Sequence, residues 1–404
     1  MPPPMKITQV DTVHAAAYPN ILWVQIHTDT GLVGLGETFR GAQAVQGQIH
    51  ELIAPYLLGK DPLAIEAHSQ HLLYGYVGFA SSGAETRAAS AVDIALWDLF
   101  GQVTQQPLYQ LLGGAVRERV PVYNTCAGYT YNKAPQRRSV TQASADVAPE
   151  GPYEDQVAFV KRPAALAESL LSEGYKAMKI WPFDPFAQAS GGQSISARDL
   201  DTALEPFREI RRAVGYEMDI MVELHSMWNL PMAVRIAQAL EEFKPYWVED
   251  PIQMSNLDTI AEFRSRTRIP VCGSETLATV QPFIQLLKNN AVDYVMLDLG
   301  WVGGLSEARK IATLAKAFHK PVAPHDCTGP VVLAASLHLA MSTTNVVLQE
   351  VVRAYLGGWY RELVTQLPDV RAGHATVPPG AGLGLALSPA LLQRPDVTLR
   401  SSTL

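Results

Sequence analysis

Hydrophobic and polar positions follow two different rhythms along the chain, and the change falls near residue 119. Before it, "ILWVQIHTDTGLVGLGET" sets β-branched and aromatic residues on both sides of a Thr-Gly turn, which predicts two short strands of one sheet. Apolar residues then recur at helical spacing in "AQAVQGQIHELIAPYLLG" and in "TRAASAVDIALWDLFGQVTQQPLYQLLGG", whose closing Gly pair suits a helix C-cap. Residues 1–118 are therefore expected to form an α+β domain.

Beyond residue 119 short apolar strands alternate with amphipathic helices. Strands are predicted at 120–126, 177–181, 219–224, 246–250, 269–274, 294–299, 321–325 and 345–350. Eight such units favour an α/β fold, a closed (β/α)8-type (TIM-like) barrel over residues 119–370, capped by the N-terminal α+β domain. The alternative is an open Rossmann-type sheet, but no GxGxxG follows a strand. Two long connections, 127–160 and 182–197, follow strands and so belong at the C-terminal face of a barrel, where active sites are built. Tyr129, Tyr131, Arg137 and Arg138 are the polar candidates in the first. Residues 371–404 are turn-rich and are expected to run back to the capping domain.

Composition narrows the class. Of 404 residues, 48% are hydrophobic and 18% charged, as in a soluble globular enzyme. A net charge of -7 without Lys/Arg stripes argues against a nucleic-acid partner. Cys126, Cys272 and Cys327 form no CxxC, so neither a disulfide framework nor a thiolate zinc site is indicated. The start "MPPPMKITQV" has no apolar signal region, and even "GPVVLAASLHLAM" is interrupted by His338, so no membrane is implied and a cytoplasmic location is expected.

The chemistry lies where the predicted strands end. Glu223, Glu249, Glu275, Asp298, His325 and Glu350 follow one another at steps of 26, 26, 23, 27 and 25 residues. One polar residue at a strand end is commonly a cap or loop contact, but one per β/α unit puts six side chains around a single barrel mouth. Like charges gathered there repel unless a cation or protons compensate them. Glu223, Glu249 and Glu275 offer the oxygen ligands a hard cation takes, and Mg²⁺ is the expected cofactor; zinc sites usually draw on Cys and His. Asp298 and His325 close consecutive strands, so the carboxylate can fix the imidazole tautomer and make His325 a general base. In "VELHS", strand alternation would turn His225 to the same side as Glu223, an acid facing His325. Lys179 would add positive charge beside the metal, with a surface Lys next to Trp181 as the plainer alternative. Cys327 is read as wall, because nothing near it in sequence would activate the thiol.

These residues carry a resemblance. "GLVGLGE" and "AASAVDIALWDLFGQ", then "VELH", "WVEDP", "GSE", "LDLGWVGG", "PHDCTGP" and "LQE" in order, resemble the enolase superfamily in its mandelate racemase and muconate lactonizing enzyme branch over nearly the whole chain. The resemblance implies that Glu223, Glu249 and Glu275 bind Mg²⁺ and that an Asp298–His325 dyad abstracts the proton α to a substrate carboxylate. It also implies that Glu350 hydrogen-bonds that carboxylate and that the chain forms a homo-oligomer. Many members carry Lys-x-Lys at the end of the second barrel strand; here "KIW" keeps Lys179 and puts Trp181 in the second place. The extra His225 resembles the acid-sugar dehydratases of the branch. The first metal ligand is Glu223 where many relatives use Asp, which bears on substrate. The expected activity is a Mg²⁺-dependent dehydration of an aldonate or aldarate to a 2-keto-3-deoxy acid. The alternatives are a racemase, epimerase or lactone cycloisomerase and, from another class, a non-catalytic binding protein.

Overall fold

The computed structural model describes residues 5–75, 82–131 and 153–404; Arg137, Arg138 and most of the first long connection lie outside the described residues. The N-terminal layer is an antiparallel sheet of β1 (Ile7–Ala15), β2 (Ile21–Thr28) and β3 (Val33–Phe39), with the C-terminal strand Val397–Thr403 paired along β1. β2 and β3 are the two strands that the Thr-Gly turn predicts. Val397–Thr403 is largely exposed and buries no alternating apolar face, so the hydrophobic pattern did not announce it. Gly34 and Gly36 of β3 are glycines for a packing reason: a Cβ there would lie 2.1 Å from Ala95 O and 1.8 Å from Ala91 O of the helix Ala84–Thr104. That helix ends at Gln105 in the left-handed conformation, and a separate turn Leu108–Leu111 follows, so the long helical stretch read from sequence is broken in two.

The barrel consists of β4 (Val120–Thr125), β5 (Ala177–Ile180), β6 (Asp219–Glu223), β7 (Trp247–Glu249), β8 (Val271–Gly273), β9 (Tyr294–Leu297), β10 (Val322–Pro324) and β11 (Gln349–Val351). Each pairs in parallel with the next from β4 to β10, and β11 pairs with β4. A bridge between Val322 and Val346 joins β10 to the approach of β11 and closes the ring. The last predicted strand, 345–350, is corrected by this arrangement: the pairing is split between Val346 and Gln349–Val351. The connection 182–197 is not all loop either, since the helix Asp184–Ser190 lies within it.

Side-chain alternation fills the barrel in layers. Tyr123, Ala177, Met221, Trp247, Cys272, Met296 and Ala323, one from each of seven strands, form an apolar plug. Two residues further along, on the same inward face, stand Thr125, Lys179, Glu223, Glu249, Asp298 and His325. The polar layer thus rests on a dry floor.

Carboxylates from the N-terminal layer fasten it to the barrel. Asp93 accepts from Ser306 N and Oγ at 3.0 and 2.6 Å, at the start of the helix Gly304–Ala317 that follows β9. Glu37 accepts from Val331 N and Val332 N at 3.1 and 2.9 Å, at the start of the helix Pro330–Ser342 that follows β10. Asp98 accepts from Leu35 N and from Leu383 N, drawing the C-terminal segment in. No helix among the described residues is long and apolar enough to cross a membrane.

Candidate active site

The C-terminal ends of the barrel strands surround a pocket lined by Lys179, Trp181, Glu223, His225, Glu275, His325 and Glu350, with Thr125, Tyr131, Trp301, Cys327 and Thr328. Phe39 and Arg40, at the end of β3, reach over its rim from the N-terminal layer. The residues singled out from the strand ends, with His225 and Tyr131, stand here or directly beneath; Tyr129 does not line the pocket, and Arg137 and Arg138 lie outside the described residues. Glu223 and Glu249 close β6 and β7, Asp298 and His325 lie one residue past β9 and β10, and Glu350 is the middle residue of β11. Glu275 departs from the two-residue step, lying three residues after the inward Cys272.

One ligand atom from each of Glu223, Glu249 and Glu275 lies within 4.8 Å of the other two, and all three residues are buried. Burial, and then the charge of Glu249, push the Glu223 carboxyl well above its ordinary range. Lys179 offsets part of that charge. Its Nζ lies 2.5 Å from Glu249 Oε1, 2.9 Å from Glu350 Oε1 and 3.7 Å from Glu223 Oε2. Burial works against the ammonium, but Glu249 and Glu350 outweigh it and hold Lys179 charged. One lysine among four carboxylates leaves an excess of buried negative charge. The donors are hard oxygens held close together, which suits a divalent cation.

His325 Nδ1 lies 2.7 Å from Asp298 Oδ2, and Asp298 Oδ1 accepts from Gly300 N at 2.7 Å. This fixes the ring with Nε2 toward the pocket, 3.3 Å from Glu275 Oε2. Burial alone would lower the His325 pKa; Glu275, Glu350 and Asp298 overturn that and raise it to about 10. A cation neutralising Glu275 would remove the largest of those raising charges and free the ring to take a proton.

His225 reaches the pocket by a different route from the one expected. β6 stops at Glu223, and His225 and Ser226 both adopt left-handed backbone, with φ of 50° and 58°. The side chain is therefore aimed by a turn and not by strand alternation, and the His225 backbone N–H donates back to Glu223 Oε1. The imidazole stands edge-on to Trp181, with Tyr131 Oη 3.3 Å from Nε2. In the eight-stranded ring β6 is third and β10 seventh, so His225 and His325 rise from opposite sides.

Sequence reasoning missed Phe39, Arg40, Trp301 and Asp184. The first two come from the other domain. Trp301 lies in the quoted "LDLGWVGG" and packs against the His325 ring with centroids 5.4 Å apart. Asp184 was passed over inside a stretch read as loop.

Comparison with known proteins agrees with this picture. Residues 1–113 match the model of the mandelate racemase / muconate lactonizing enzyme N-terminal domain, and 162–391 match the one described as enolase C-terminal domain-like. A D-galactonate dehydratase of Xanthomonas euvesicatoria is 32% identical over 405 residues, covering 96% of this chain and 94% of its own. One from Ralstonia nicotianae is 31% identical over 403 residues, with the same coverage. Among solved structures, an enolase of the mandelate racemase subgroup from Agrobacterium tumefaciens is 49% identical, with a TM-score of 0.88 over 98% of this chain and 99% of that one. An enolase protein from Sargasso Sea environmental sequencing is 47% identical, with a TM-score of 0.88 over 99% of both chains.

Proposed function

The chain belongs to the mandelate racemase / muconate lactonizing enzyme family of the enolase superfamily, and on that premise we propose that it is a Mg²⁺-dependent dehydratase of a sugar acid, an aldonate or aldarate. One observation carries this reading: two imidazoles, His325 and His225, face one pocket from opposite sides of a buried three-glutamate cluster. Glu223, Glu249 and Glu275 would hold the Mg²⁺, which when bound engages the substrate carboxylate and stabilises the negative charge that grows on it.

The chain's own residues do the proton work. His325 Nε2 takes the proton from the carbon α to the carboxylate, and the C–H electron pair passes into the enediolate; Asp298 steadies the imidazolium that results. The enediolate then collapses to a Cα=Cβ double bond as the Cβ–O bond breaks. The departing oxygen takes a proton from His225 Nε2 and leaves as water, and the enol ketonises to a 2-keto-3-deoxy acid. Lys179 places positive charge beside the substrate carboxylate, and Glu350, when it carries a proton, donates a hydrogen bond to that carboxylate. Trp181, where many relatives have a second Lys, supplies no base on that side.

The relatives named D-galactonate dehydratase support a sugar acid as substrate, so D-galactonate heads the panel to be tested. The test is a screen of aldonic and aldaric acids with Mg²⁺ for 2-keto acid formation. Two facing imidazoles also fit 1,1-proton transfer, so epimerisation is the second reading. If no acid yields a keto acid, yet one exchanges its α-hydrogen with deuterated solvent while keeping its β-hydroxyl, the epimerase takes precedence.

A further inference from the structure

Across the pocket from the Asp298–His325 pair lies a second carboxylate–imidazole pair. His225 Nδ1 is 2.8 Å from Asp184 Oδ2, against 2.7 Å for His325 Nδ1 and Asp298 Oδ2. Asp184 opens the short helix Asp184–Ser190 after β5, next to β6 in the ring, and is fully buried. Both of its carboxylate oxygens lack a well-aligned hydrogen bond among the described residues, and so does His225 Nδ1. A buried carboxylate without neutral donors is costly, and this one lies 2.8 Å from an imidazole nitrogen that also lacks a partner, within reach of that nitrogen's proton once the N–H aligns with it. The other nitrogen, Nε2, already has a hydroxyl at 3.3 Å, that of Tyr131, so an alcohol oxygen fits there.

We propose that Asp184 is the positioning residue of the acid: it holds His225 by Nδ1–H so that Nε2–H points at the β-hydroxyl that leaves. The inference rests on the dehydratase reading and deepens it. The step draws on a ring that carries a proton on each nitrogen. The Cβ–O bond breaks, its electron pair stays on oxygen, that oxygen takes the proton from Nε2, and water departs. The ring remains neutral with its last proton on Nδ1, against Asp184. The two dyads divide the reaction: Asp298–His325 opens the C–H bond and Asp184–His225 closes the elimination. Asp184 touches neither substrate nor metal ligand in this account. The plain alternative is that it only stabilises the first turn of a helix, as acidic residues at helix starts do.

Two measurements separate these accounts, both on the full chain loaded with Mg²⁺. The first needs no substrate. Long-range ¹H–¹⁵N spectra of protein labelled at histidine, with the His225 resonances assigned by their loss in His225→Gln, should show Nδ1 protonated. They should also shift strongly in Asp184→Asn while those of His325 stay in place. A His225 bearing no proton on Nδ1 in the wild-type protein overturns the proposal whether or not any variant folds.

The second uses whichever acid the screen turns over. Asp184→Asn should lower keto-acid formation about 10- to 100-fold, the usual penalty for losing such a supporting partner. It should leave α-hydrogen exchange with solvent near the wild-type rate, and Asp184→Glu should restore part of the loss. Equal loss of exchange and elimination, or a fall in melting temperature with unchanged turnover per folded molecule, identifies a structural residue and sinks the inference. If His225→Gln itself leaves elimination intact, the acid assignment fails. If His225→Gln abolishes elimination and Asp184→Asn does not affect it, only the positioning role fails.

Discussion

The molecule buries two sets of three carboxylates and treats them in opposite ways. At the seam between the N-terminal layer and the barrel, Glu37, Asp93 and Asp98 stand apart, and each is met by neutral donors. Glu37 takes two backbone N–H groups and Trp23 Nε1, Asp93 takes the N–H and hydroxyl of Ser306, and Asp98 takes two backbone N–H groups and Gln102 Nε2. Burial pushes each up to about 7, and those hydrogen bonds pull back against it. At the barrel mouth Glu223, Glu249 and Glu275 face one another; Glu223 and Glu249 share Lys179 and take one neutral donor each, the His225 backbone N–H and Trp247 Nε1, and Glu275 lies 3.3 Å from His325 Nε2. A buried carboxylate surrounded by neutral donors is complete as it stands; a cluster of them is completed by a cation. Residue type and burial do not distinguish structure from chemistry here, but the partners do.

The comparison is most exposed to failure at the site. His325→Asn should lower α-hydrogen exchange of the substrate by about 10² to 10⁴, the range a general base contributes, with little change in melting temperature. Exchange surviving at the wild-type rate would place the base elsewhere. Next in size is the metal. Mg²⁺ at a hundred times its dissociation constant should stabilise the protein by about 2.7 kcal/mol. In Glu223→Gln that gain should vanish, while the metal-free protein melts no lower than wild type because repulsion with Glu249 has been relieved. A metal-free Glu223→Gln protein that is much less stable would mean the cluster is structural after all.

The site was more legible in sequence than the seam for a physical reason. A strand of fixed pitch that ends at one barrel face puts its last inward residue into the pocket, so spacing along the chain reports proximity in space, as with Met221 and Glu223 or Ala323 and His325. Glu37 and Asp93 have no such rule. Each meets a helix start more than 200 residues away, and their only mark in sequence was membership of "GLVGLGE" and "AASAVDIALWD". His225 was placed in the right pocket by an argument about strand alternation that does not apply, because two left-handed residues follow Glu223. Asp184 was hidden because a seven-residue helix in a proline-rich connection reads as loop. Val397–Thr403 was invisible because it buries no apolar stripe and is held by backbone pairing with β1.

At the seam the expected signs reverse, stability changing and chemistry not. Asp98→Asn puts an amide donor against Leu35 N or Leu383 N, and should cost about 1–3 kcal/mol in denaturant unfolding. Turnover per folded molecule should stay the same. A large fall in turnover at unchanged stability would join the seam to the chemistry and undo the distinction.

The smallest effect is one of pH, and its sign follows from the seam carboxylates being raised in the folded protein. Stability they contribute in protonated form is fully present below their ordinary values near 4 and is lost as pH climbs through about 7. His338 pulls the other way. Burial lowers it to about 4, so its contribution is present above 6.5 and lost as pH falls toward 4. The His338 trend opposes the carboxylates below 6.5, and above 6.5 His325, raised to about 10, declines in the same direction as they do, so between 6.5 and 7.5 the Glu37 share is isolated by substitution. Each carboxylate can change stability there by about 1 kcal/mol per pH unit. Glu37→Gln, which cannot ionise, should flatten the decline between pH 6.5 and 7.5 by roughly that amount. An unaltered slope would mean that Glu37 is already ionised at pH 6.5, held as a carboxylate by Val331, Val332 and Trp23, and that its donors outweigh its burial.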